Sequence, residues 1–267
     1  MATIRMQTGN RPLPGPGIFR LAAHPNESYI CLTCLADIIR DCLPDVSADD
    51  YRTRPSRKMT RATCHLDFLS HAEINQVNGF KTLKKQVEWI GGRYALKTLA
   101  AEVLPGIGSL RQIRVAYETR GAPYLVARSE ISISISHAGD YALAGLCLIA
   151  GKRIGLDIEQ MAREGLDSVK QVAFTEQEMA TAGDSPEKAC RIWTRKEAYL
   201  KFIKAGFGES LKRIDVSGPG IWHGGVPITG IAIQTTPVAA QYLMSIVSHR
   251  DTIGPVGERA HAVRDRL

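Results

Sequence analysis

Nowhere in this chain of 267 residues do eighteen apolar residues run together, and residues 1–10 lack the apolar core that a secretory leader needs. Neither a membrane span nor a leader is expected, and the chain reads as a soluble, cytoplasmic protein. Cysteine is sparse and irregular. Cys31, Cys34, Cys42, Cys64, Cys147 and Cys190 have no even spacing, which argues against a disulfide scaffold and for reduced thiols. Cys31-Leu32-Thr33-Cys34 is a CxxC, but no second pair follows at zinc-site spacing, so it reads as part of an apolar patch. Aromatic residues make up only 6% of the chain, and none interleaves with the basic run Arg52, Arg54, Arg57, Lys58 and Arg61. That run reads as a solvated linker and not as a nucleic-acid surface, which needs rings to stack bases.

What the chain does have is a hydrophobic fraction of 44%, enough for a core, and a net charge of +7 that suits a polyanionic ligand or an acidic protein partner. It also has an acidic motif in two parts. Gly155-Leu156-Asp157-Ile158-Glu159 alternates as a strand does, so Asp157 and Glu159 share a face. Trp193-Thr194-Arg195-Lys196-Glu197-Ala198-Tyr199-Leu200-Lys201 reads as helix, with Glu197 and Lys201 on one stripe. Packed together, the two parts would gather three carboxylates beside an ammonium. Such carboxylates repel unless a cation sits among them, and hard oxygen donors suit Mg²⁺, or Mn²⁺ as the alternative.

From about residue 64 the chain repeats itself. Phe68-Leu69-Ser70-His71-Ala72-Glu73 matches Phe174-Thr175-Glu176-Gln177-Glu178, and Trp89 stands eight residues before Lys97 as Trp193 does before Lys201. Ser109–Val115 matches Ser210–Val216, and Tyr141–Ala144 echoes Tyr242–Ser245. The fold class expected is α+β: two similar halves, residues 61–150 and 151–250, related by pseudo-twofold symmetry with the active site at their interface. A partly irregular extension (1–60) precedes them and a flexible tail (251–267) follows. Within the extension, Pro12, Pro14, Gly15, Pro16 and Gly17 break regular structure, and Tyr29–Leu43 reads as a helix ended by Pro44. Ser185 and Pro186 predict the start of the second long helix. By the tryptophan spacing Arg93 stands opposite Glu197, so one metal site is expected. Between the halves, Ile131–Ser136 alternates strictly between Ile and Ser and ends in a turn, His137-Ala138-Gly139-Asp140. Ser136 and His137 can face an anion there; alternatively His137 caps the hairpin.

Gly155–Glu159 followed by Trp193–Lys201 resembles the two-part motif of the 4′-phosphopantetheinyl transferases, and Ile135-Ser136-His137-Ala138-Gly139 resembles that family's third motif. Length and duplication resemble its double-length, monomeric, surfactin-synthetase-activating type, over roughly residues 64–250. The resemblance implies transfer of phosphopantetheine from coenzyme A to a serine of an apo acyl or peptidyl carrier protein, with release of 3′,5′-ADP. It implies Asp157, Glu159 and Glu197 as metal ligands, Glu197 as general base, Lys201 at the leaving group, and Ser136 and His137 on a coenzyme A phosphate. The family's Gly-Lys-Pro is here Gly121-Ala122-Pro123, preceded by Arg120, which stands in for the missing lysine. Arg93 occupies a Gly-Arg position common in the family, while Lys81, Lys84 and Lys85 read as solvated. The carrier's acidic helix is expected on a basic surface with Lys204, Lys212 and Arg213. Two rivals are a Mg²⁺-dependent nuclease, disfavoured because Lys196 adjoins Glu197 directly, and a non-catalytic module binding coenzyme A or a carrier. Neither a nucleic-acid nor a membrane partner is expected.

Overall fold

The computed structural model describes residues 17–20, 28–47, 51–61, 63–161 and 165–250; the expectations for Pro12–Pro16 and for the tail fall outside them. The first elements are β1 (Gly17–Arg20), β2 (Ser28–Cys34), α1 (Leu35–Cys42), α2 (His71–Asn78) and α3 (Leu83–Val103). They are followed by β3 (Val115–Tyr117), β4 (Pro123–Leu125), β5 (Ser132–Ala138) and β6 (Tyr141–Cys147). One antiparallel sheet takes them in the order β1-β2-β6-β5, and β3 pairs with β4 alone.

Two expectations need correction here. Gly17 opens a strand, and Tyr29–Cys34 is strand and not helix. Its run of aromatic, β-branched and aliphatic residues is paired on both edges, by β1 and β6, and that pairing overrides the helical spacing. Helix starts only at Leu35, where Leu35, Ile38, Ile39 and Cys42 make a buried stripe. Because β2 is an inner strand, residues 28–47 belong to the first sheet and its helices, and the boundary expected at residue 60 does not separate them.

The basic run keeps Arg52, Arg54 and Lys58 exposed, as expected, but its backbone is tied down. The Leu83 N–H donates to Arg54 O (3.2 Å), Ser56 N–H to Lys81 O (3.1 Å), and buried Gln86 clasps both backbone groups of Arg57. The segment is thereby clipped to the first turn of α3.

The second set is β7 (Ile154–Gln160), α4 (Leu166–Ala173), α5 (Glu176–Ala182), α6 (Pro186–Ile203), β8 (Ile214–Asp215), β9 (Trp222–His223), β10 (Val226–Pro227), β11 (Ile231–Ala239) and β12 (Tyr242–His249). Its larger sheet runs β11-β12-β7, all antiparallel, the order in which β5, β6 and β2 stand in the first. Ser185 caps α6 by accepting from Lys188 N–H, with Pro186 behind it. α2 and α5 each begin with a capping box, Ser70 with Glu73 and Thr175 with Glu178. Each box glutamate also meets a buried lysine of the next helix: Lys97 to Glu73 and Lys196 to Glu178, both at 2.6 Å. This matches Lys97 to Lys196, five residues from the pairing that the tryptophans suggest. Thr98 then stands opposite Glu197, and the first half still offers no carboxylate there.

Apolar residues of β2, β6, β7 and β12 form a core between the two sheets, including Ile30, Leu143, Leu156 and Met244. Beside that core β5 runs along the free edge of β7. Alternate N–H groups of β7 point away from β12, and three of them find serine hydroxyls. Ser132 Oγ accepts from Ile154 N (3.2 Å), Ser134 Oγ from Leu156 N (3.1 Å) and Ser136 Oγ from Ile158 N (3.4 Å). The Ile-Ser alternation is thus a seam: isoleucines on one face, hydroxyls standing in for a strand's carbonyls on the other. No helix among the described residues is long and apolar enough to cross a membrane.

Candidate active site

At its last rung the seam becomes a site. Ser136 Oγ, besides accepting from β7, donates to Asp157 Oδ1 (2.6 Å). Lys201 Nζ reaches the same two atoms, Ser136 Oγ at 2.8 Å and Asp157 Oδ1 at 2.7 Å, and Thr194 Oγ1 donates to Asp157 Oδ2 (2.9 Å). Glu159 Oε1 accepts from Trp193 Nε1 (2.7 Å). Asp157 and Glu159 therefore both face α6, toward the stripe of Trp193, Thr194, Glu197 and Lys201, spaced three and four apart. Gly155 makes this approach possible: a Cβ there would lie 2.1 Å from Ala198 O and 2.3 Å from Phe202 N. Lys196 points away, its ammonium shared among Glu178 and the carbonyls of Ala173, Leu211 and Ile214.

Glu197 and Lys201 open onto a cavity of about 350 Å³ between α6 and a wall made by α3, β5 and the β3–β4 turn. Lys85, Arg93, Arg120, Lys201 and Lys204 line it, against the acids Glu88 and Glu197. His137 lines it too, half-buried, with Lys85 Nζ 3.3 Å from Nε2 and Glu88 Oε2 3.5 Å from Nδ1. Burial first, then the positive charge of Lys85 and Lys201, pushes the His137 pKa down to about 4. The imidazole is neutral at pH 7, and these contacts place its proton on Nδ1, leaving Nε2 to accept from Lys85. Burial raises the Glu88 pKa despite Lys84 and Lys85.

Most of the residues singled out from the sequence meet here, though not all in the expected posture. Ser136 is buried beneath the cavity and its hydroxyl is committed to Asp157 and Lys201, so it positions those groups. Arg93 reaches the cavity wall from a buried station: its Nε lies 3.5 Å from Glu73 Oε1, its Nη2 donates to Tyr117 OH (2.7 Å), and its guanidinium covers the Trp89 ring at 4.4 Å. Lys204 lines the cavity, while Lys212 and Arg213 are exposed elsewhere. Glu88 and Thr194 are contributors for which the sequence held no expectation, and Lys85, expected to be solvated, lines the cavity. A signal for Lys85 existed: Lys81, Lys84 and Lys85 crowd a helix N-terminus, where the dipole disfavours positive charge unless an anion is served.

Among the described residues, no group of three His, Cys, Asp or Glu side chains stands close enough, as placed, to hold a metal ion. The donor set still suits one. Asp157 and Glu159 aim from one face of β7 at the helix that carries Glu197, and all three offer the hard oxygens that Mg²⁺ prefers.

Residues 153–247 match the model of the family described as the 4′-phosphopantetheinyl transferase superfamily. The 4′-phosphopantetheinyl transferase HetI of Nostoc sp. (strain PCC 7120) is 28% identical over 161 residues, 56% of this chain and 65% of that protein. A 4′-phosphopantetheinyl transferase of Bacillus subtilis is 30% identical over 95 residues, 34% of this chain and 40% of the relative. A holo-[acyl-carrier-protein] synthase of Geobacillus sp. (strain WCH70) is 37% identical over 68 residues, 23% and 57%. In each case the match spans less than two thirds of the relative's length. The holo-(acyl-carrier-protein) synthase of Bacillus anthracis, solved in complex with CoA (3′,5′-ADP), covers 45% of this chain and 92% of its own at 25% identity and a TM-score of 0.32. Over residues 153–247, which hold Asp157, Glu159, Glu197 and Lys201, this chain is similar to the 4′-phosphopantetheinyl transferase superfamily.

Proposed function

We propose that this chain transfers the 4′-phosphopantetheine group of coenzyme A to a serine hydroxyl of an apo acyl or peptidyl carrier protein, leaving 3′,5′-ADP. The observation that carries the reading is the cation-lined cavity whose floor holds Glu197 and Lys201 beside Asp157. In the transfer the serine oxygen forms a bond to the β-phosphorus, and the bond from that phosphorus to the 3′,5′-ADP oxygen breaks. Glu197 takes the serine proton, directly or through a water it orients. Lys201, one turn on, donates to the oxygen of the departing nucleotide. Lys85, Arg93 and Arg120 offset the phosphate charge, and neutral His137 holds Lys85 in place through Nε2. Asp157, Glu159 and Glu197 would hold Mg²⁺, which would neutralise charge on the pyrophosphate.

The double-length reading accompanies this one. Matching strand orders, twin capping boxes and twin buried lysine–glutamate contacts support two halves related by a pseudo-twofold axis, with the site at their seam. One chain then supplies both walls of the cavity, so the enzyme works as a monomer. Six free cysteines suit the reducing cytoplasm in which coenzyme A is spent. The carrier docks near the cavity mouth, and its acidic helix makes turnover fall as salt rises.

Intact-mass spectrometry of several apo carriers, incubated with the protein, coenzyme A and MgCl₂, tests the reading. At least one carrier gains the mass of a phosphopantetheine group. No gain in any carrier, with single-stranded or duplex DNA cleaved instead, would replace it with the nuclease reading.

A further inference from the structure

Lys204 ends α6 with φ 56, one of two non-glycine residues at positive φ among those described. A Cβ is disfavoured there, and glycine is the usual occupant just past a helix. The lysine side chain must therefore do something that glycine would not. Its Nζ lies 2.5 Å from Glu118 Oε1, on the β3–β4 turn across the cavity. Lys204 and Arg120 both line that cavity. Gly206 presses against the same turn so closely that a Cβ would stand 2.6 Å from Arg120 O.

This pair differs from the deeper ones. Lys201 is held by Asp157 and Arg93 by Glu73, and both acids are buried. An incoming anion that displaced either would strand a buried carboxylate. The Glu118 side chain is 42% exposed, and an exposed partner is released into water at small cost. Lys204 is thus the cavity cation that is easiest to transfer from a carboxylate to a phosphate.

We propose that Lys204 binds a phosphate of the coenzyme A nucleotide and that Glu118 holds it in reserve, exchanging with the arriving anion. This rests on the reading of the cavity given above. Calorimetric titration with 3′,5′-ADP and with coenzyme A tests it, because the two partners have opposite signs. Glu118→Gln frees the ammonium and binds about two- to five-fold tighter than wild type. Lys204→Gln binds about ten-fold weaker, and the double variant binds no tighter than Lys204→Gln alone. Lys204→Gly also weakens binding while raising the melting temperature, which separates loss of the cation from loss of the fold. Weaker or unchanged binding by Glu118→Gln would overturn the proposal and make the pair a structural tie. Wild-type protein that binds neither nucleotide would overturn the reading of the cavity itself, a different result from wild type that binds and Glu118→Gln that gains nothing.

Discussion

Replacing Ser134 by alanine removes the middle rung between β5 and β7. Ser134 is 2% exposed and Leu156 is wholly buried, so the N–H sits in a buried place when the hydroxyl goes. The Leu156 N–H then loses the acceptor it meets at 3.1 Å. A buried donor left unpaired costs about 1–3 kcal/mol. The second contact of that hydroxyl, to Leu156 O at 3.5 Å, lies at the edge of bonding geometry and adds little. For a chain of this size that loss lowers the melting temperature by about 2–12 °C. Urea titration gives the free energy, and amide hydrogen exchange gives the location: the Leu156 amide is protected in the wild type and exchanges far faster in the variant. A loss below about 0.5 kcal/mol, the range of ordinary surface changes, with the Leu156 amide still protected, would refute the claim that serine hydroxyls carry the seam.

Glu197→Gln keeps most of the affinity for coenzyme A but lowers kcat by about 10²- to 10⁴-fold, measured by single-turnover mass spectrometry; unchanged turnover would remove Glu197 as the base. Lys196→Met costs about 3–5 kcal/mol, because it strands buried Glu178 along with three carbonyls. Lys97→Met costs less, since one carbonyl is orphaned and Arg93 Nε stays 3.5 Å from Glu73; paired urea titrations rank the two. The His137 pKa lies near 4 in the fold against an ordinary 6.5. The unfolded chain therefore binds the extra proton between those values, and stability that is complete above pH 6.5 falls as the pH drops toward 4. His137→Gln flattens that fall in urea midpoints recorded from pH 4 to 7.

The acidic motif was legible because its chemistry is local: Asp157 and Glu159 are two apart on a strand, Glu197 and Lys201 four apart on a helix, and periodicity alone assigns their faces. Alternation also revealed β5, but not the use of its serines. Their partners lie 22 residues away, and a pattern of faces does not say what a face touches. Tyr29–Leu43 misled because a short apolar run fits either period, and the strand there is decided by β1 and β6, which no window around it contains. The lysines of α3 read as solvated, and Lys204 as part of a carrier-docking surface, for a related reason. A charge reads as solvated until the opposite wall of its cavity is in place, and here that wall comes from β5 and the β3–β4 turn.

The hydroxyl rungs climb β5 and β7 in step, each acceptor 22 residues before its donor, so both strands advance in the same direction. Moving one strand to its next permitted match shifts it by two residues, about 6.6 Å. Such a shift would still pair serines with amides, yet it would carry Ser136 past Asp157 and drag His137 along the edge. A chain caught in that register would lack the Ser136–Asp157–Lys201 cluster that closes the seam.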